Sequence, residues 1–87
     1  MFNGTVQKVI DGDTIEIQNG DVLRLENVDA PEINESGGQG AKNKLEELVG
    51  GKFVSYTEEA RDEYRRIVSN VYVGTIWINE QMRKYLD

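Results

Sequence analysis

The chain has 87 residues with no cysteine and no histidine, and its 16 carboxylate side chains outnumber its 10 lysines and arginines, for a net charge of −6. That length sets one domain, expected to run from 1 to 87, burying roughly 60–65% of its unfolded surface. The missing residue types exclude an imidazole base, a thiol nucleophile and a disulfide staple, so any catalysis must run on carboxylates, arginines, lysines, hydroxyls or a metal.

The N-terminal MFNGTVQK has no apolar signal core, and no run approaches transmembrane length, so the sequence as given reads as soluble and intracellular. Thr5 to Ile10 (TVQKVI) is rich in β-branched residues, and Thr14 to Gln18 (TIEIQ) alternates with Ile15 and Ile17 on one face. Asp11-Gly12-Asp13 between them suits a hairpin loop, and Asn19-Gly20 marks the next tight turn. Val22 to Val28 (VLRLENV) alternates again, which predicts a three-strand antiparallel meander. Ile33 to Gly40 (INESGGQG) reads as a flexible loop. From Ala41 the period becomes helical, with Ala41, Leu45, Leu48 and Val49 on one face, and Gly50-Gly51 ends that helix. Lys52 to Thr57 (KFVSYT) is a fourth strand, Glu58 to Arg66 a charged connection, and Ile67 to Val73 (IVSNVYV) a fifth strand. Thr75 to Ile78 is a candidate short sixth strand, after which Asn79 is placed to cap a last helix carrying Met82 and Leu86 inward. This order predicts a mainly β fold with α: a five-stranded, partly open OB-fold barrel with one helix after strand three and a C-terminal helix. An SH3-like barrel is the alternative, but it usually lacks a helix after its third strand. No internal repeat, linker or low-complexity segment interrupts the chain.

Four motifs now line up in order. VIDGDTI, LRLENVDAPE, DEYRRIVSNVYV and INEQM resemble the staphylococcal nuclease (thermonuclease) family, from about Val6 to Met82. The family pattern is a DGDT hairpin, an R-L-x-x-x-D-x-P-E segment, a D-x-Y-x-R segment and an N-E helix start. The resemblance implies an OB-fold barrel and calcium-dependent hydrolysis of phosphodiester bonds in DNA and RNA. Its expected substrate is single-stranded or loosened nucleic acid, cut by a monomer with no membrane partner. Matched motif to motif, Asp13 and Asp29 are similar to the family's metal-ligand carboxylates. Glu32 resembles the carboxylate near the attacking water, Arg24 and Arg66 the arginines that grip the scissile phosphate, and Tyr64 the nucleotide-contacting tyrosine. The pattern usually has glycine where Arg65 stands and often lysine where Glu63 stands, and it continues beyond Asp87.

The chemistry of those residues agrees with these roles. In a meander the third strand's end returns to the second strand's start, so hairpin topology alone allows Asp13 and Asp29 to be neighbours. Two bare carboxylates raise each other's pKa, and a divalent cation relieves the repulsion. Calcium takes about six to eight hard oxygens, which two carboxylates, carbonyls and water supply. Arginine offers a planar, permanently charged fork matched to phosphate oxygens. Each piece also has an ordinary reading: Asp-Gly-Asp as a turn with Asp11 shaping the loop, Asp29 and Glu32 as strand-end polarity, the arginines as surface ion pairs. Tyr56, Tyr72 and Trp77 read as packing residues. A second functional class stands beside the enzyme: a non-catalytic OB-fold module binding nucleic acid or a protein partner, which the acidic charge and Glu63 favour. A calcium-binding structural domain is the third.

Overall fold

The computed structural model describes residues 1–87. In chain order the elements are β1 (Phe2–Asp11), β2 (Thr14–Ile17), β3 (Val22–Leu25), helix α1 (Gly38–Val49), β4 (Phe53–Tyr56), β5 (Ala60–Arg61), β6 (Ile67–Ser69), β7 (Val71–Val73), β8 (Ile76–Trp77) and helix α2 (Ile78–Leu86). The meander of β1, β2 and β3 is antiparallel, with Val9 opposite Ile15 and Thr14 opposite Arg24. β1 serves two partners: Val6 to Asp11 pair with β2, while Phe2 to Thr5 pair with β4.

All eight strands form one sheet in the order β5-β6-β3-β2-β1-β4-β7-β8. β6 runs parallel to β3, and β7 runs antiparallel to β4, on opposite flanks of that sheet. Only Asn70 separates β6 from β7. The predicted fifth strand is therefore one chain segment that bends at Asn70 and changes partner. The hydrogen-bonded ladder stays open, and the covalent chain spans its two flanks. With its two helices this is the OB-like architecture the element order implies.

Sixteen buried apolar residues form one cluster. The strands contribute residues such as Ile15, Ile17, Leu23, Leu25, Val54, Ile67 and Val71, α1 contributes Ala41, Leu45 and Val49, and α2 contributes Ile78 and Met82. Burial alternates along β3, with Leu23 and Leu25 fully covered and Val22 and Arg24 half-buried, as a strand with one face on the core requires.

The strand expected over Val22 to Val28 ends at Leu25, the expected charged connection contains the short strand β5, and three further local features differ from the sequence reading. The Asn19-Gly20 turn uses Gly20 at φ 94°, but Asn19 keeps a negative φ and accepts the Asp21 N–H with its side chain. The stretch 33–40 is built of turns: Glu35 N–H donates to Glu32 O and Gly38 N–H to Glu35 O, and α1 begins at Gly38. Asn79 does not cap α2; it lies in the first turn, fully buried, and the residue before the helix is Trp77. Its amide instead ties three backbone groups together. Oδ1 accepts Val71 N–H at 2.9 Å, and Nδ2 donates to Glu26 O at 3.1 Å and Ser69 O at 3.0 Å.

That amide clamps the end of β6, the start of β7 and the chain after β3 where the sheet changes partner. Asn79→Ala strands one buried N–H and weakens two carbonyls, so it is expected to cost about 2–4 kcal/mol in urea unfolding. A loss under about 0.5 kcal/mol would show that water replaces the amide at no penalty.

Candidate active site

The β1–β2 turn delivers Asp13 into the interior. Asp11 opposes Thr14 across a two-residue loop, and Asp13 N–H donates to Asp11 Oδ1 at 3.1 Å. Asp13 O in turn accepts Leu25 N–H, fastening the turn to the end of β3. Gly12 makes this possible, because a Cβ there would lie 2.6 Å from Ala41 Cβ and 2.7 Å from Ala30 Cβ. The turn thus slots between α1 and the segment after β3.

The Asp13 side chain is 9% exposed and fully engaged. Oδ1 accepts the Thr14 hydroxyl at 2.9 Å, Oδ2 accepts Ala30 N–H at 3.1 Å, and Arg24 Nη2 stands 3.4 Å from Oδ2. Burial and a hydrogen bond with Asp11 push its pKa up to about 6, against the pull of Ala30 N–H, the Thr14 hydroxyl and the Arg24 charge. Arg24 reaches further. Its Nη1 donates to Leu25 O at 2.7 Å and also to Val28 O, bracing the turn that Asn27 makes at φ 57°.

Arg66 enters from the turn between β5 and β6. Asp62 organises that turn: its Oδ1 accepts the N–H groups of Tyr64 and Arg66, and its Oδ2 accepts Arg66 Nε at 2.7 Å. Partial burial raises the Asp62 pKa, but those bonds and the Arg66 charge outweigh it and hold it below its ordinary value. Engaging Nε leaves the two terminal nitrogens of Arg66 as the open edge of its fork. The Tyr64 ring stacks beside the same guanidinium at 5.2 Å.

These pieces meet in one cavity of about 250 Å³ lined by Asp11, Asp13, Arg24, Asp29, Ala30, Glu32, Glu35 and Arg66. Five of the six residues singled out in the sequence therefore converge. Tyr64 does not line this cavity; it is 72% exposed and reaches it only through Arg66. Glu35 was not anticipated. It fixes the Glu32 backbone by accepting Glu32 N–H at 2.8 Å. Gly38 was also missed, although a Cβ there would fall 1.9 Å from Glu32 O, so only glycine lets α1 start against this segment. A larger cleft of about 620 Å³ adjoins the cavity, shares Arg24 and Asp29 with it, and is lined also by Glu26, Asn27 and Asp62.

The lining side chains offer oxygen donors with more carboxylates than guanidiniums, a set that fits a hard divalent cation. No three carboxylates converge closely enough to cage an ion on their own. Asp13 and Asp29 both line the cavity.

Comparison with known proteins bears on this arrangement. Residues 22–85 match the family model described as Staphylococcal nuclease homologue, and the chain belongs to that family. It is 36% identical over 96 aligned positions to an Escherichia coli protein named "Uncharacterized endonuclease", covering 92% of this chain and 63% of that protein. It is 35% identical over 74 positions to the micrococcal nuclease of Shigella flexneri, covering 82% of this chain and 42% of that protein. A probable staphylococcal-like nuclease, CAN3, of Oryza sativa subsp. japonica is 36% identical over 62 positions, 71% of this chain and 16% of its own length. The chain thus spans less than two thirds of each of these relatives.

The raised Asp13 pKa has a sign. The unfolded chain, at an ordinary 3.8, releases this proton before the folded one does at about 6. Between those values the folded state binds more protons, so this group's contribution to stability falls as pH rises through them. Asp13→Asn removes the penalty and is expected to stabilise the fold by about 1–2 kcal/mol at pH 7 while flattening the urea-midpoint profile between pH 4 and 6. An unchanged profile would mean that the carboxylate is adequately compensated as it stands.

Proposed function

We propose that this domain is a calcium-dependent nuclease that hydrolyses phosphodiester bonds of DNA and RNA, acting on single-stranded or loosened strands. The observation that carries the reading is the single cavity in which Asp13, Asp29, Glu32, Arg24 and Arg66 converge from three separate chain segments. The nuclease names borne by the relatives support it.

In this reading the two arginines bind the scissile phosphate. The free edge of Arg66, with Nε already engaged by Asp62, takes two phosphate oxygens, and Arg24 supports the opposite side. Their fixed charges gain most as negative charge spreads over the phosphoryl oxygens in the transition state. Glu32 is exposed at the cavity edge, where it orients a water molecule and accepts its proton as the new P–O bond forms and the ester P–O bond breaks. Asp13 and Asp29 would hold calcium, which when bound neutralises phosphate charge and positions the nucleophile. Asp11 supports Asp13, and Glu35 holds the Glu32 backbone. The Tyr64 ring lies under the Arg66 guanidinium, 5.2 Å from Cζ to centroid, and supports its position.

A non-catalytic binding module is the second reading, and one observation favours it. Arg24 spends Nη1 on two backbone carbonyls and Nη2 on Asp13, as a purely structural arginine would. The two readings separate on hydrolysis of heat-denatured DNA in calcium and in excess chelator. The nuclease reading expects cleavage that requires calcium and disappears in Asp13→Ala. A folded protein that binds the strand without cutting it would hand the site to the binding reading. Arg66→Lys, which loses the fork, is expected to lower kcat by about 100-fold or more with the melting temperature kept. A kcat within a few-fold of wild type removes Arg66 from the chemistry. Millimolar calcium is expected to raise the melting temperature, since a ligand of the folded state alone stabilises it.

A further inference from the structure

The turn 62–66 contains a feature that gripping one phosphate does not require. Arg65 sits at φ 64°, in the left-handed region that side chains with a Cβ avoid. Asn27 is the other non-glycine residue there, and asparagine tolerates it. Arg65 has no such tolerance. Its conformation is imposed from both ends of the turn: Arg65 N–H donates to Asp62 O, Asp62 N–H to Arg66 O, and the Asp62 carboxylate holds the N–H groups on either side. A glycine would fit without strain, so the position carries a guanidinium at a conformational cost.

That guanidinium has no structural employment. Arg65 is exposed and enters neither an ion pair nor a side-chain hydrogen bond, whereas Arg24, Arg61 and Arg66 are all paired with carboxylates. It adjoins Arg66, which lines the cavity, and Tyr64, whose ring stacks on Arg66. The chain as a whole is acidic, so its field repels a polyanion. A strand must then approach where free cations stand, and this turn offers one directly beside the cavity.

We propose that Arg65 contacts the phosphate of the nucleotide next to the one held by Arg24 and Arg66, making the turn 62–66 a guide for the strand. The proposal rests on the nuclease reading. Backbone strain at non-glycine residues concentrates at binding and active sites, and this one stands beside the cavity. Arg65 adds electrostatic affinity and takes no part in bond breaking. Glu63, exposed on the same turn, sets a limit on that attraction.

The test is salt-dependent binding of a fluorescent single-stranded oligonucleotide in excess chelator, so that it is not cut, together with steady-state cleavage in calcium. Each phosphate contact to a single strand contributes about 0.7 to the slope of log K against log salt. Arg65→Gly is expected to lower that slope by about 0.7, weaken binding several-fold at low salt, raise KM in proportion and leave kcat within two-fold. Arg65→Lys should restore the slope. Lys8→Ser removes the same charge from a separate cavity lined by Lys8, Glu46 and Gly50, and should leave the slope unchanged. The melting temperature of Arg65→Gly should not fall. An Arg65→Gly slope equal to wild type, or one matched by Lys8→Ser, overturns the proposal while the nuclease reading stands. A folded wild-type protein that neither binds nor cuts the strand overturns both.

Discussion

One guanidinium ties the start of the second strand to the end of the third. Arg24 approaches the buried Asp13 carboxylate and donates to the carbonyls of Leu25 and Val28. Without it, Asp13 would be a buried charge with only neutral donors, and the chain leaving β3 would lose its brace. The arrangement is under-compensated. Arg24 must serve an anion and two carbonyls together, and Asp13 also shares a hydrogen bond with Asp11. Desolvation therefore wins, and the acid stays weak. The same imbalance leaves the fold carrying a buried carboxylate that its neighbours compensate only in part.

Around that centre the backbone is drawn in unusually close. Gly12 lies between Ala30 and Ala41, and Gly38 lies against Glu32 O. At neither position is there room for a side chain. The core behind them is apolar and fully covered at Leu25, Val28, Ala41 and Leu45, and its side chains are close-packed. On the far side the Asn79 amide secures the point where β6 becomes β7. The sheet can thus leave its ladder open without leaving its shape undetermined.

Much of this was legible in the sequence because alternation and turn chemistry are local signals. The meander, α1, β4 and the inward face of α2 follow from spacing, and hairpin topology alone brought Asp13 toward Asp29. What escaped was set by contacts distant in sequence. Asn79 looks like a helix cap because caps are asparagine-rich, yet its amide is claimed by Glu26, Ser69 and Val71. The three glycines before Ala41 look like slack, yet Gly38 is demanded by a backbone 6 residues away. Arg65 reads as a substitution in a motif, and only its φ shows what glycine would have relieved there. Tyr64 stands exposed beside Arg66, outside the cavity lining, a placement that spacing alone does not give.

The contact between Glu32 and Gly38 also bears on how such a domain diversifies. The residues from Ile33 to Gly37 form a small excursion whose two ends already touch, pinned by Glu35 N–H on Glu32 O and by the missing side chain of Gly38. Extra residues inserted at its tip do not have to move either end. Loop-closure entropy grows only with the logarithm of length, about 0.6 kcal/mol for each doubling, so lengthening is thermodynamically mild. The excursion hangs from the same segment that presents Glu32 to the cavity. The rim of the cavity can therefore be lengthened or rewritten while the residues lining it beneath keep their places.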